Sequence, residues 1–227
     1  MGEKAHKGYL GKGMEGFFAT FYDRNAKDYM QDQYKIWVAA LKKILPAEAK
    51  ILELAPGPGY LSIELAKTGI TSVTGLDISH SFMEIAARNA EQAGVKIDFI
   101  QGNASALPFP ASAFTHIICT SAFKNFSEPL AALEEMYRVL VPGGIVWMSD
   151  MRHDVSDREI DKYVREMMKL KGLNAVMTSM TFKNMLRKRA YTKESMLELV
   201  AKTQFGVLDF AQYPMEFNIT LRKGKAL

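Results

Sequence analysis

The sequence predicts an α/β fold, a parallel sheet covered by helices on both faces. Two observations carry this reading. Between Lys50 and Asp150, short apolar runs alternate with segments of helical apolar spacing. The first of those runs, Ile51–Leu54, passes through the glycine turn Ala55-Pro-Gly-Pro-Gly59 straight into a helical pattern. Strands buried on both faces read as continuous apolar runs rather than as alternation, and these do.

The elements follow in order. Met14 to Tyr22 is rich in Gly and Phe. A helix then places Met30, Tyr34, Trp37, Val38, Leu41 and Leu45 three or four apart on one docking face, and Pro46 ends it. After the first strand, a helix is expected over Leu61–Lys67 and a second strand over Thr71–Leu76. Ser79 suits the N-cap of a helix running to Ala93, and Gly94 suits its C-terminus. Strands follow at Ile97–Ile100 and Ala113–Cys119, a helix at Pro129–Leu140, and a strand at Ile145–Ser149 entered through a Gly143-Gly144 turn. Beyond Asp150, helices are expected over Ser156–Lys171, with Ile160, Val164, Met167 and Met168 on one side, and over Val176–Arg189, with Met177, Met180, Met185 and Leu186. A helix over Lys193–Thr203 and strands Val207–Ala211 and Met215–Leu221 close the chain.

The expected organisation is one domain: an N-terminal helical lid (1–45), a cofactor-binding core (46–150), a helical cap insertion (151–190) and a C-terminal helix with strands (191–227). At 227 residues and 48% hydrophobic, the chain can bury a core of that size. A formal charge of +4 is too mild to indicate nucleic acid by itself. One cysteine, Cys119, excludes an internal disulfide and any multi-cysteine metal centre. With no signal-like stretch and no apolar run of ~20 residues, the expectation is a soluble, cytoplasmic protein.

Glu53 ends the first strand, Gly57 and Gly59 form the turn, and Asp77 ends the second strand about 20 residues later, where an acid is placed to hold ribose hydroxyls. Backbone N–H groups and a helix N-terminus face a ligand there. These residues point to an adenosine-containing cofactor. A dinucleotide would want G-x-G-x-x-G, and Gly57-Pro-Gly59-Tyr-Leu-Ser62 lacks the third glycine.

The strings ELAPGPGY, GLDIS, GNASALPFPASAF and ALEEMYRVLVPGGIVWMSD resemble, in the same order, the class I S-adenosylmethionine-dependent methyltransferases, from about Lys50 to Asp150. YTKESMLELVAKTQFGVLDF is similar to the late helix and strand of many small-molecule members. Residues 1–45 and 151–190 match only in general character. The resemblance implies a Rossmann-like seven-stranded, mostly parallel sheet with the last strand antiparallel, S-adenosyl-L-methionine as cofactor and S-adenosylhomocysteine as product. By it, Glu53 reads the cationic amino group through water, and Ala55, Pro56, Gly57 and Gly59 form the turn passing the methionine part. Asp77 accepts from both ribose hydroxyls, and its loss should spare the fold, unless it merely caps the helix beginning near Ser79. Ile78 and Met83 pack on the adenine, and Gly102, Asn103 and Ala104 form its edge, with Asn103 accepting from the N6 amine. Ala55 stands where the family usually has Gly, Asn103 where Asp is common, and Thr115-His116 where an Asp follows the Phe.

The resemblance also places Thr120 and Ser121 among the cofactor-binding residues; they open the loop to Asn125 where the family receives its acceptor, without the Asn-Pro-Pro-Tyr type motif used on exocyclic amines. Lys124, either an anion- or hydroxyl-orienting group or a solvated loop lysine, and His153, beside Asp150, Arg152 and Asp154, are the candidate catalytic groups. A metal at His153, as in catechol-type enzymes, lacks fixed spacing, and no metal is expected. His116 reads as structural, His80 as first-turn and His6 as tail. Phe17, Phe18, Phe21, Tyr22 and Tyr29 either pack an N-terminal helix or form a lid in which Tyr22 or Tyr29 closes over the sulfonium. The Met167–Met185 patch reads as flexible core or as an apolar acceptor wall. Lys183, Arg187, Lys188 and Arg189 form a basic cluster, either a solvated face or an anion site. The expected partner is a small-molecule acceptor, not nucleic acid or membrane, and nothing in the sequence bears on oligomeric state. Alternatives left open are methylation of RNA or protein, and a non-catalytic cofactor-binding fold-mate.

Overall fold

The computed structural model describes residues 8–10, 14–69 and 72–224. His6 and the first residue of the expected run Thr71–Leu76 lie outside them, as does the side chain of Tyr29. The elements are α1 (Phe17–Tyr29), α2 (Gln31–Leu41), β1 (Lys50–Leu54), α3 (Tyr60–Ala66), β2 (Ser72–Asp77), α4 (His80–Gln92), β3 (Asp98–Gln101), β4 (Phe114–Thr120), α5 (Pro129–Val139), β5 (Leu140–Met151), α6 (Asp157–Lys162), α7 (Gly172–Thr181), α8 (Arg187–Arg189), α9 (Lys193–Val200), β6 (Gly206–Gln212) and β7 (Glu216–Arg222).

One seven-stranded sheet runs in the order β3-β2-β1-β4-β5-β7-β6. The neighbours from β3 to β5 are parallel, and β7 is antiparallel to both β5 and β6. Leu54 sits beside Leu76 on one flank and Cys119 on the other, so Ala55, Asp77 and Thr120 line up along one edge. That edge is where open α/β sheets bind ligands.

Strand alternation builds a core on each face. Leu52, Leu54, Ile117, Cys119, Val146 and Met148 pack with α5 and α9. Ile51, Ile118 and Trp147 face the other way, onto Trp37 and Leu41 of α2 and Leu61 and Leu65 of α3. The expected docking face of the second helix is therefore real, although α2 stops at Leu41, a turn before Pro46.

Three expectations need correction. Gly143 and Gly144 do not turn into a strand starting at Ile145; they lie inside β5, where the partner of Phe114 is Leu140 and that of His116 is already Ile145. Gly143 has φ 80°, and a Cβ on Gly144 would come within 3.0 Å of Thr115 O, so glycine is what lets the backbone bulge there. Next, most methionines of the cap face outward: Met167, Met177, Met180 and Met185 are exposed, Met177 by 59%, while Met168, Ala175, Phe182 and Leu186 turn inward onto Met151, Val155, Ile160 and Val164. Helix α6 continues as a π-helical turn over Tyr163–Met167 and α7 as another over Phe182–Leu186, which shifts the face away from the 3.6-residue spacing. Finally, the basic cluster is partly neutralised. Lys183 Nζ lies 2.8 Å from Asp161 and Arg187 Nη1 2.7 Å from Asp157, tying the second cap helix to α6.

Among the described residues, no helix is long and apolar enough to cross a membrane. Leu41→Ala, at a fully buried position, should lower unfolding free energy by about 2–5 kcal/mol, whereas Met180→Ser should change it by no more than about 0.5 kcal/mol. Urea midpoints at constant m-value check both, and a large loss in Met180→Ser would restore the core reading of that patch.

Candidate functional site

The β1 tip and its turn are built from unusual backbone. Ala55, Gly57 and Gly59 have φ of 56°, 55° and 81°. A left-handed Ala costs about 1–2 kcal/mol, so the turn holds Ala55 against its preference, anchored by its N–H donating to Leu76 O at 2.8 Å. Gly59 has a second reason to be glycine, since a Cβ would meet Phe99 at 2.8 Å and Ala86 at 2.9 Å. Pro56 is buried against Gly75 and supports the turn from behind.

Glu53 is 2% exposed beneath this turn, and the Ser62 hydroxyl in the first turn of α3 donates to it. Burial pushes its carboxyl up to about 7, only partly opposed by Ser62. Asp77 is also buried. Its Oδ2 accepts from Gly57 N at 3.1 Å and its Oδ1 from Ser79 N at 2.9 Å. Burial raises it to about 6, with the Ser79 and Gly57 bonds opposing. Asp77 thus joins both βα turns. Two backbone donors depend on it, so its removal is expected to cost stability as well as any ligand contact.

Ser79 caps α4 as expected, accepting from Phe82 N at 3.0 Å. Ile78 is half-buried at the edge, while Met83 packs with Ala19, Phe82, Ile85 and Ala86. Gly102 N donates to Asp77 O at 2.8 Å, and a Cβ there would strike Leu76. Asn103 Oδ1 already accepts from Ser105 N at 2.9 Å, leaving one lone pair for a ligand, and Ala104 follows it in the turn. Glu53, the turn Ala55–Gly59, Asp77, Ile78 and the Gly102–Ala104 turn therefore converge on one edge.

The N-terminal segment straps this edge. Gly8 lies so close to the Asn103 amide that a Cβ would come within 2.3 Å of Oδ1. Leu10 N donates to Asn125 O at 2.8 Å and Ser127 N to Gly8 O at 3.2 Å. Further on, Ser79 Oγ donates to Met14 O at 2.7 Å, and the Glu15 carboxylate accepts from His80 N and Ser81 N at the start of α4. Asp23 accepts from the Tyr60 hydroxyl and from Asn89. Tyr22 stacks edge-on to Phe82 and keeps 39% of its surface exposed, yet desolvation, with Tyr9 and Asp77 nearby, raises its phenol. Of the aromatic run, Phe17, Phe18 and Phe21 are exposed, Phe17 by 78%, whereas Tyr22 meets α4 and Ala19 is the buried contact of α1.

On the acceptor side, Thr120 ends β4 and Ser121 follows it at φ 55°, its N–H donating to Ser149 O at 2.7 Å. Lys124 is neither solvated nor free. At 5% exposure its Nζ lies 2.8 Å from Asp150 Oδ1 and donates to Ser121 O, while its backbone N–H donates to Asp150 Oδ2 at 2.8 Å. It is a buried structural ion pair beneath the loop. His153 stands apart on an exposed turn, where Arg152 is bound bidentately by Asp154, so the expected polar wall of 150–154 splits into a buried and an exposed half. His116 is buried with Nδ1 at 2.9 Å from Thr115 Oγ1, and burial lowers its pKa. Thr115 Oγ1 in turn accepts from Lys50 N at 2.9 Å, capping the start of β1. Among the described residues, no group of three or more His, Cys, Asp or Glu could hold a metal.

Sequence reasoning missed Glu216, Gln33 and Tyr163. Gln33 Nε2 donates to Glu216 Oε1 at 3.1 Å, and Glu216 and Tyr22 help raise the Tyr163 phenol, chiefly pushed up by burial to about 12. The available signal was the alternation of β7, in which Glu216, Asn218 and Thr220 share one face opposite Phe217, Ile219 and Leu221.

The charge at the glycine turn decides between the two cofactor classes. A pyrophosphate needs free N–H groups, but here Asp77 takes the Gly57 N–H. The Ser62 position, where a dinucleotide turn wants its third glycine, is filled by a hydroxyl bound to Glu53.

Residues 51–144 match a family described as a methyltransferase domain. A demethylmenaquinone methyltransferase of Thermus thermophilus is 40% identical over 99 residues, 43% of this chain and 45% of that protein. The chain spans about half the length of the curated relatives it matches. Among solved structures, a candidate S-adenosyl-L-methionine-dependent methyltransferase of Methanococcus maripaludis superposes with a TM-score of 0.76 at 20% identity, covering 96% of this chain and 97% of that one. The cyclase SpnF superposes with a TM-score of 0.62 at 19% identity, covering 97% and 87%. These structural likenesses show the fold alone.

Two predictions follow from the buried acids. In the folded protein Glu53 keeps a proton that the unfolded chain, with an ordinary value of 4.5, has lost, so its contribution to stability is full below 4.5 and is lost as pH rises through about 7. Glu53→Gln should therefore raise the melting temperature of the ligand-free protein at pH 8, by a change worth up to ~3 kcal/mol, and have little effect at pH 5; an equal effect at both pH values would contradict the buried-acid account. Asp150→Ala strands the Lys124 ammonium and should cost about 3–5 kcal/mol by urea denaturation, with Lys124→Met on the same background recovering much of it.

Proposed function

We propose that this chain, whose residues 51–144 match a methyltransferase-domain family, is an S-adenosylmethionine-dependent methyltransferase of class I that transfers the sulfonium methyl to a small organic acceptor. The observation that carries the reading is the pair of buried carboxylates at the glycine turn, Glu53 and Asp77, which favour a cationic, hydroxyl-rich ligand.

Bound there, S-adenosylmethionine supplies a methyl carbon already activated by the sulfonium charge. The chain's own residues bind, orient and exclude water. Glu53 takes the amino end through water and must be ionised to do so. Asp77 uses one lone pair on each oxygen for the backbone and keeps another on each for the two ribose hydroxyls. Ile78 and Met83 form the apolar side of the adenine site, and Asn103 offers its remaining lone pair to the exocyclic amine. Gly8–Leu10 and Met14–Asp23, with Tyr9 and Tyr22, cover this edge from solvent. Lys124 acts through Asp150 to hold the loop rather than on the acceptor.

The relatives' names make a demethylmenaquinone-like compound the first acceptor to try. Since SpnF shares the fold, turnover must be shown as well as binding. Titration calorimetry should give binding of S-adenosylhomocysteine and none of NAD, and a methyl-transfer screen should include demethylmenaquinone and a metabolite extract. Binding of NAD alone would overturn the cofactor reading, and cofactor binding with no transfer to any acceptor would leave a non-catalytic binder. Homocysteine-form affinity should strengthen as pH rises through 6–7, as Glu53 and Asp77 lose their protons. Asp77→Ala should weaken that affinity by roughly 10–100-fold, about 1.5–3 kcal/mol, and also lower the melting temperature. Unchanged affinity in that variant would remove the ribose role.

A further inference from the structure

The cap helix α7 carries two apolar stripes, and the rest of the fold covers only one of them. Ala175 and Ser179 are buried, and Ala175 packs with Phe182 and Leu186 onto Val155, Ile160 and Val164. The other stripe is Leu173, Val176, Met177 and Met180, at the three- and four-residue spacing that puts side chains on one face of a helix. These four are between 48% and 73% exposed. Single chains rarely leave a contiguous apolar face bare, and one rimmed by polar residues marks a contact with something else.

The charge around the exposed stripe has one sign. From Met167 to Lys193 the chain contains no Asp or Glu and seven Lys or Arg, although its net charge as a whole is only +4. Lys183 and Arg187 are held by Asp161 and Asp157 of α6. The exposed Lys169 and Lys171, just before Leu173, and the exposed Lys188, past the C-terminal end of α7, stand outside those pairs. The acids that share a small cavity with Lys169 are engaged elsewhere: Glu166 lies 3.9 Å from Lys162, and Asp32 lies 3.4 Å from Lys35. The helix runs on from Thr181 through its π-helical turn to Arg189, a rod of roughly 25 Å with an apolar side and cations at both ends.

We propose that this stripe is an interfacial anchor that lays α7 on an anionic lipid surface, its four apolar side chains entering the acyl boundary and the flanking lysines meeting the headgroups. Such a helix lies in the plane of the interface with its apolar face about 5–10 Å deep. The lack of a membrane-crossing helix among the described residues therefore does not oppose it. The lysines add attraction only where the lipid is negatively charged. Other occupants fit the stripe less well. A second copy of the chain would bring the same acid-free, seven-cation segment against itself. A nucleic acid would pair the lysines with phosphate but leave Leu173, Val176, Met177 and Met180 in water. The covered stripe also rests on Met151, the last residue of β5 at the ligand-binding edge, so the anchor would hold that edge toward the lipid. The proposal does not depend on the methyltransferase reading, and its test needs no cofactor.

The test is flotation of the full chain with vesicles of phosphatidylcholine, alone or with about one-third phosphatidylglycerol. Met177→Cys, labelled with a nitrobenzoxadiazole dye, locates the contact, and the buried Cys119 is spared by the label. The expected result is binding to the anionic vesicles about ten-fold tighter than to the neutral ones, weakening as salt rises from about 50 to about 500 mM, with a blue shift of the dye emission. Leu173→Ser with Met180→Ser, and separately Lys169→Glu with Lys171→Glu, should each weaken binding about ten-fold at unchanged melting temperature, because all four side chains are exposed. No partition, equal affinity for neutral and anionic vesicles, or binding untouched by both double variants would overturn the anchor. A dimer in ultracentrifugation that Leu173→Ser with Met180→Ser abolishes, without vesicle binding, would assign the stripe to a second copy instead. Salt-sensitive retention on a homopolymeric RNA in place of vesicles would assign the cations to nucleic acid and overturn the proposal as well.

Discussion

The carboxylate of Asp77 accepts one backbone N–H from the turn after β1 and one from the start of α4, and the edge of the sheet takes its shape from that bridge. Gly57 and Ser79 belong to different βα units, so the acid sets the distance between two turns that would otherwise be fixed only by strand pairing. Gly102 N reaches Asp77 O from a third unit. The strap then builds on the same point, with Met14 taking the Ser79 hydroxyl and Glu15 the next two backbone N–H groups of α4.

The edge is organised at a cost to the ligand-free protein. Ala55 and Ser121 are held left-handed, and Glu53 and Asp77 are desolvated next to each other with their carboxyls raised. Such strain persists only where the surroundings over-determine it. Here the surroundings are the close approach of Phe99 and Ala86 to Gly59 and the buried Lys124–Asp150 pair under the neighbouring loop. A cation and a set of hydroxyls relieve the electrostatic part of the strain, which makes the ligand a component of the edge's stability.

The sheet was legible because its signals are local. Ile51–Leu54, Gly57, Gly59, Ser79 and Asp77 each carry meaning within a few residues, and their order along the chain determines the rest. What the sequence hid depends on contacts between distant segments. Lys124 reads as a loop lysine until Asp150, 26 residues later, is brought beneath it. The cap methionines read as an inward face because a 3.6-residue period was assumed, and two π-helical turns break that period. Gly143-Gly144 reads as a turn because a bulge inside a strand has the same local composition. Glu216 has no motif at all; its neighbours Gln33, Trp37 and Tyr163 come from two other regions of the chain.

The N-terminal strap has a kinetic meaning. The Asp77 and Asn103 side of the edge lies beneath Gly8 and the Met14–Glu15 corner, so on the proposed reading a ligand there would leave along that side only once those bonds part. Few of them are large: a short bridge from Tyr9 to Phe126, and single hydrogen bonds at Leu10, Met14 and Gly16. Individually these fluctuate quickly; together they open only when several break at once. On the proposed reading, residence time at this edge would depend on Gly8–Leu10 and Met14–Asp23, and sequence drift there would alter the tempo of turnover while the sheet's own residues stay the same.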